Sequence, residues 1–416
     1  MDTIEKYQKQ LLEQTLSIYR ETPISEATQR AYLATPRHRF VQRYREWGTK
    51  EWHEVTAENL TEHVPTLYAN RPLILHGDQE EDENVPSTIS QPSFVLRTLD
   101  LLQINPDHRV FELGTGSGWN AALIGQLVGP GGHVQSVEII PEVARNASSA
   151  IRSLGISNVQ VIEGDGAAGY PDAAPYDRAI FTAGTFDLPR HFYQQIREEG
   201  LLLVVIKTPG GGDNLFVLRK TGDHFESVES MVCGFVQLRG SYEFKDLEPA
   251  LIEKAVPEWS ELKSREVSRR RFWWGGKGKE IFVWSTLGIR SFLGIVEPTF
   301  RAFKTARDDA SNKKEHHYFG LWDADNHSLV VAQDDRLFAY GSARAEKRLL
   351  ETLHSWVELG MPTAACFVVG RSTGTSTVIL MNHQSAVRVM RAPATFPWKR
   401  SFSAMLTQPS LGIHTR

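Results

Sequence analysis

A strand that ends in a glycine-rich turn and restarts as a helix leaves a chain few folds to choose from. Val110-Phe111-Glu112-Leu113 reads as a short apolar strand, Gly114-Thr115-Gly116-Ser117-Gly118 follows, and a helical pattern starts at Trp119. Glycines permit positive φ and let a ligand approach the backbone closely, and a helix start offers N–H groups to whatever lies over the turn. The alternation continues downstream, with a strand ending at Val137-Glu138, a helix over about 141–154, and strands at 159–162, 179–181 and 201–206. Strands alternating with helices predict a parallel α/β sheet covered on both faces. Two final runs, Asn214 to Lys220 and about Val228 to Leu238, flank Thr221-Gly222-Asp223 and predict an antiparallel hairpin at the sheet edge.

The flanking stretches read differently. Residues 1 to about 72 look helical, from the spacing of Leu11, Leu12, Leu16 and Tyr19 and a second run through Tyr32-Leu33. Seven of the ten tryptophans lie beyond residue 246, which is too aromatic for a linker. That part mixes apolar strands near 281–285 and 364–369, a helix near 345–358 and an apolar run at 376–381. The 416 residues are therefore expected to divide into an N-terminal helical cap (1–84), an α/β unit (85–245) and an additional α+β domain (246–416).

Composition narrows the classes of function. Lys plus Arg total 46 against 50 Asp plus Glu, a net charge of -4, which argues against a dedicated nucleic-acid binder. Cys233 and Cys366 match neither a disulfide framework nor a metal-ligand spacing, and His316-His317 has no companion ligands, so no metal is expected. The charged, amphipathic start MDTIEKYQKQLLEQ is unlike a signal peptide. No run approaches the roughly 18 apolar residues of a membrane span. A cytoplasmic protein is expected. The oligomeric state is not legible.

The glycine spacing is Gly-x-Gly-x-Gly, not the Gly-x-Gly-x-x-Gly of dinucleotide folds. A loop that need not hold a pyrophosphate suits S-adenosylmethionine, a nucleoside with an amino-acid tail. Glu112 stands where it could meet that ligand's cationic end. Glu138, at the end of the second strand and 20 residues after Gly118, is placed for ribose hydroxyls. Asp165, in Gly164-Asp165-Gly166 after the third strand, could reach the adenine amino group. Gly114, Thr115, Gly116, Ser117, Gly118 and Gly166 complete the expected cofactor site. Three such features at successive strand ends predict a class I S-adenosylmethionine-dependent methyltransferase with a Rossmann-like, doubly wound sheet.

Several words then resemble the protein-L-isoaspartate O-methyltransferase family, in family order over 28–245. They are Ala31-Tyr32-Leu33-Ala34-Thr35-Pro36-Arg37-His38-Arg39-Phe40-Val41, Leu67 to Leu73, Thr88-Ile89-Ser90-Gln91-Pro92, Val161 to Gly166 and Ala174-Pro175-Tyr176-Asp177. The resemblance implies that Ser90 sits beside the transferred methyl group and the acceptor carboxylate, flanked by Thr88 and Gln91. Ser90 would also serve as the N-cap of the following helix. The chain departs from the pattern at Trp119, where tyrosine is usual, at Val85-Pro86-Ser87, and at Ala183-Gly184-Thr185-Phe186-Asp187-Leu188-Pro189. It also carries an acidic run (Asp78, Glu80, Glu81, Asp82, Glu83) and the surplus domain.

Those departures resemble homologues that act on ribosomally made, modified peptides (lanthipeptides, graspetides and lasso peptides). They imply methylation of an aspartate side chain in a modified precursor peptide, with the ester cyclising to aspartimide and hydrolysing to isoaspartate. Isoaspartyl repair is the alternative. A carboxylate with a reference pKa of about 3.9 is already ionised at neutral pH and needs no general base. Catalysis is then expected from in-line positioning and exclusion of water. The stretch 263–279 holds seven basic residues against Glu266 and surrounds Phe272-Trp273-Trp274. It would suit an acidic peptide, so the surplus domain is expected to help recognise the substrate.

Overall fold

In the computed structural model, the described residues are 3–77, 87–208, 212–222, 224–243, 249–271, 289–294, 296–305, 317–333 and 336–358, with short strands at 368–369, 378–380 and 388–390. The acidic run 78–83, the expected strand at 281–285, the Phe272-Trp273-Trp274 word and the C-terminal tail lie outside them.

The N-terminal part is not all helix. Helices α1 (Thr3–Ile18), α2 (Glu26–Ala34) and α3 (Leu60–Leu67) are joined by a small antiparallel sheet of β1 (Arg43–Arg45), β2 (Trp52–Glu54), β3 (Leu73–His76) and β4 (Ser87–Ile89), in the order β2-β1-β3-β4. The strands are three or four residues long, too short for their alternation to register in a sequence window. Ser25 caps α2 by accepting the Thr28 N–H at 3.2 Å. Asp100, on α4 (Pro92–Leu101), accepts from Ser25 N–H at 2.7 Å and Thr28 Oγ at 2.6 Å, which ties the two helices together.

The central sheet contains β5 (Arg109–Leu113), β6 (His133–Glu138), β7 (Val159–Glu163), β8 (Tyr176–Thr185), β9 (Ile196–Thr208), β10 (Gly212–Thr221) and β11 (His224–Cys233). Its order is β7-β6-β5-β8-β9-β10-β11, parallel from β7 to β9 and antiparallel beyond. The order reverses at β5, so the crevice at its carboxyl end is the topological switch point where ligands bind in such sheets. Helices α5 (Trp119–Val128) and α6 (Pro141–Ser153) make the crossovers. The expected hairpin is present, but its second strand ends at Cys233 and residues 235–239 leave the strand.

Alternate residues of each strand feed two cores. Ile180, Leu203, Val205, Leu215 and Val217 join the cluster of α1 to α5. Phe111, Phe181, Leu202, Val204, Phe216 and Phe225 belong to a second cluster, continuous with Ile289, Phe292, Leu293, Phe319 and Trp356. The crossover elements between β7, β8 and β9 are only one-turn pieces, Gly166–Ala168, Pro171–Ala173 and α7 (Phe192–Gln195). Apolar residues from beyond 249 therefore share the core that longer helices would otherwise close.

The last part holds a six-stranded sheet of β12 (Ala250–Leu251), β13 (Glu266–Arg271), β14 (Phe300–Lys304), β15 (His317–Asp323), β16 (Ser328–Gln333) and β17 (Arg336–Tyr340), ordered β12-β14-β15-β16-β17-β13. The helix Arg344–Glu358 packs on β15 and β16. The short strand β18 (Val368–Val369) pairs with β11 and so extends the central sheet, not the second one. No helix among the described residues is long and apolar enough to cross a membrane.

Candidate active site

One cleft opens at the carboxyl ends of β5, β6 and β8. It is lined by Thr88 and Ser90, by Gly114, Thr115, Gly116 and Ser117, by Glu138 and Gly166, and by Phe235 to Arg239. The turn after β5 is glycine by necessity. Gly114, Gly116 and Gly118 have φ of 89°, 52° and 84°. A Cβ on Gly114 would collide with Thr182 Oγ, and one on Gly118 would lie 2.9 Å from Ala147 Cβ. A Cβ on Gly116 would come to 3.3 Å from the Thr88 carbonyl oxygen, so the glycine turn and the Thr88–Gln91 loop are in close approach. Gly118 stands as N-cap of α5 and does not line the cleft.

Glu138 is 5% exposed and borders the cleft. One carboxylate oxygen accepts Gly116 N–H at 2.9 Å and the other Ile140 N–H at 3.0 Å. Burial pushes its pKa up, against those backbone donors. The carboxylate therefore stands fixed at the end of β6, with lone pairs remaining for hydroxyl donors.

Glu112 and Asp165 sit otherwise than expected. Glu112 pairs with Ser136 across β5 and β6, and its carboxylate is fully buried, accepting from Ser136 Oγ and from Asn120 Nδ2 at 2.7 Å. Burial raises its pKa to about 7. It does not line the cleft, and its partner Asn120 does. Asp165 caps the turn Gly166–Ala168 through Ala167 N–H at 2.9 Å and accepts Ser241 N–H at 2.8 Å. Burial alone would raise its pKa, but the hydrogen bonds from Ser241 and Ala167 outweigh it and hold the carboxyl below the usual range. Its neighbour Gly166 is the residue that meets the cleft.

The N-cap of α4 is Gln91, not Ser90, because Pro92 takes the first helical position. Ser93 N–H is satisfied by Asn70 Oδ1 at 3.0 Å, and Gln91 turns its amide to Ser93 Oγ at 3.0 Å. Ser90 and Thr88 line the cleft and Gln91 does not.

Three contributors had no role read from the sequence. Arg37, fully buried, donates to the carbonyls of Ser90 at 2.7 Å, Arg71 at 3.2 Å and Ile89 at 3.4 Å. Its guanidinium lies 5.1 Å from the Trp119 ring, and Trp119 Nε1 donates to Thr35 O at 3.0 Å. Thr182 Oγ donates to Leu113 O at 2.9 Å and packs under Gly114. Residues Phe235 to Arg239 form a further wall of the cleft, with the Phe235 and Phe94 rings 5.7 Å apart. Arg37 lies within the Ala31–Val41 stretch. The wall was hidden because an apolar run such as Phe235-Val236-Gln237-Leu238 reads as more strand.

Comparison with known proteins gives one consistent result. The family profile described as protein-L-isoaspartate(D-aspartate) O-methyltransferase matches residues 9–243, more than half of the chain. A protein-L-isoaspartate O-methyltransferase of Ignicoccus hospitalis is 36% identical over 162 residues, 38% of this chain and 77% of that one. One from Methanothrix thermoacetophila is 39% identical over 184 residues, 44% of this chain and 81% of that one. A solved structure titled protein-L-isoaspartate O-methyltransferase superimposes with a TM-score of 0.51 at 21% identity, covering 91% of this chain and 98% of that one. That likeness in fold extends past the catalytic sheet into the C-terminal part.

Proposed function

Because the chain belongs to the protein-L-isoaspartate O-methyltransferase family, we propose that it methylates a side-chain-type carboxylate of a peptide, with an isoaspartyl residue as the first acceptor. It is an S-adenosylmethionine-dependent O-methyltransferase. The residues present fit that cofactor: the glycine turn leaves a cradle that a Cβ would fill, and Glu138 presents a fixed carboxylate at the end of β6. Gly114 to Ser117 and Gly166 would hold the cofactor and Glu138 its ribose hydroxyls. When bound, it supplies an electrophilic methyl group. Arg37 holds the backbone of Ser90 and Ile89, which fixes the acceptor side of the cleft. The Phe94 and Phe235 rings put apolar surface on that side of the cleft. An acceptor carboxylate is ionised at neutral pH, so no proton has to be moved before it reacts.

The observation that carries this reading is the close approach of the Thr88–Gln91 loop to the glycine turn at Gly116. It brings the acceptor loop over the cofactor cradle. The test uses paired peptides that differ only in an isoaspartyl or an aspartyl residue. Preference for the isoaspartyl peptide by about tenfold or more in kcat/KM supports repair-type chemistry.

A second reading takes the acceptor to be an ordinary aspartate in a ribosomally made, modified peptide, with the ester then cyclising to aspartimide. It is supported by the departures at Trp119 and Gly184 and by the basic edge strand β13, which carries Arg269, Arg270 and Arg271. Preference for the aspartyl peptide favours it. The surplus length carries no weight between the two, since a structure titled protein-L-isoaspartate O-methyltransferase spans the same extent. Recognition of the peptide by the part beyond 246 belongs to this second reading.

A further inference from the structure

Lys207 and Asp213 face each other across β9 and β10. Lys207 Nζ lies 2.9 and 3.0 Å from the two carboxylate oxygens, and the side chains are only 13% and 10% exposed. Both ions also reach the same residue. Lys207 Nζ donates to Phe235 O at 3.2 Å, and Asp213 Oδ2 accepts Phe235 N–H at 2.9 Å. One ion pair thus takes both backbone polar groups of Phe235, where the wall of the cleft begins. At Val236 and Leu238 the wall is tied to Gly184. Gly184 N–H donates to Val236 O at 2.8 Å, and Leu238 N–H donates to Gly184 O at 2.7 Å.

Gly184 also makes the lysine possible. A Cβ there would lie 2.8 Å from Lys207 Cγ and 3.0 Å from Cδ. The lysine stem fills the space the missing side chain leaves. A largely buried ion pair adds little net stability, because desolvation offsets the attraction, but its geometry is specific. Such a pair is better suited to locating a segment than to holding the fold together.

We propose that Lys207 and Asp213, admitted by Gly184, are positioning residues that fix the wall Phe235–Arg239 and set which peptide carboxylate fits beside Ser90. The selective half rests on the acceptor reading above; the positioning half does not. The test compares the full-length protein with D213A, D213N, K207M and K207R. D213N keeps one acceptor for Phe235 N–H but turns an amide NH2 toward Lys207 Nζ. It therefore breaks the pair with little change in volume and is read by the same criteria if D213A does not fold.

Three measurements are made: hydrogen exchange over residues 234–240, affinity for S-adenosylhomocysteine, and KM and kcat for whichever of the isoaspartyl or aspartyl peptides the wild type methylates. The expected result for D213A and K207M is exchange over 234–240 faster by about tenfold. The peptide KM rises by about tenfold, kcat falls less, and S-adenosylhomocysteine affinity stays within about twofold. K207R restores most of the loss. Unchanged exchange overturns the proposal whatever the substrate, as does a parallel loss of S-adenosylhomocysteine affinity. A wild type inert toward both peptides refutes the acceptor reading instead, and the exchange result then decides the brace alone.

Discussion

Arg37 Nη1 stands 2.7 Å from the carbonyl oxygen of Ser90, so a fully buried guanidinium holds the loop that faces the glycine turn. No carboxylate pairs with Arg37 among the described residues, and burial lowers its pKa to about 9. Its charge is balanced by carbonyl dipoles and by the face of Trp119.

Arg37→Met should therefore cost more than its lost charge. Three carbonyls would be left to find new donors, a loss of about 2–4 kcal/mol in unfolding free energy. Arg37→Lys keeps the charge but offers its three donors from one point instead of a planar fork, and should fall between. Denaturant titration checks both. A wild-type midpoint for Arg37→Met contradicts the assigned role.

Gly114→Ala should weaken cofactor binding without unfolding the chain. The added methyl meets Thr182 Oγ, and φ at 89° disfavours any L-residue. A loss of at least about tenfold in S-adenosylhomocysteine affinity by calorimetry, roughly 1.4 kcal/mol, is expected. In Gly114→Ala/Thr182→Ala part of that loss should return, since the second change removes the obstructing hydroxyl.

Glu112 makes stability depend on pH. Its folded pKa is raised to about 7 from an ordinary 4.5, because burial penalises the carboxylate. The folded state thus binds the proton more tightly than the unfolded one. The stabilisation is full below about 4.5 and is lost as pH rises toward 7. Glu112→Gln keeps an acceptor for Asn120 and cannot ionise. Its melting temperature should gain on the wild type between pH 5 and pH 7.5, by the equivalent of about 1–3 kcal/mol. Parallel curves for the two proteins would contradict this.

A chain cut after residue 245 should fail as a soluble methyltransferase. Phe216 and Phe225 of the central sheet share one apolar cluster with Ile289, Phe292 and Trp356. Removing those partners exposes a sheet face that one-turn crossovers leave bare, a patch suited to aggregation. Solubility and S-adenosylhomocysteine binding of the truncated chain check this. A monomeric fragment that melts with the wild type would show that the two parts fold independently.

The sequence made the central sheet legible because most of its strands are apolar runs, the first two followed by full helices and the first ending in a glycine turn whose positive φ angles demand glycine. The position of Glu138 was legible too: it ends β6 and borders the cleft, as its place after the second strand predicts. Glu112 and Asp165 were misplaced by the same logic. Chain position put each at a strand end, but only tertiary packing turned Glu112 inward to Ser136 and gave Asp165 to Ser241. The wall Phe235–Arg239 was lost to periodicity, which cannot tell a strand from an extended segment pinned by Lys207, Asp213 and Gly184. The small N-terminal sheet was lost because three residues hold no pattern.

The central claim is carboxylate O-methylation of a peptide. Incubating the protein with methyl-labelled S-adenosylmethionine and an isoaspartyl peptide tests it most directly, read by mass spectrometry and by release of labelled methanol in mild alkali. One added methyl group is expected, all of it alkali-labile, carried by the isoaspartyl peptide or by its aspartyl twin. A methyl group that survives alkali, or no transfer to either peptide from a protein that binds S-adenosylhomocysteine, would contradict it.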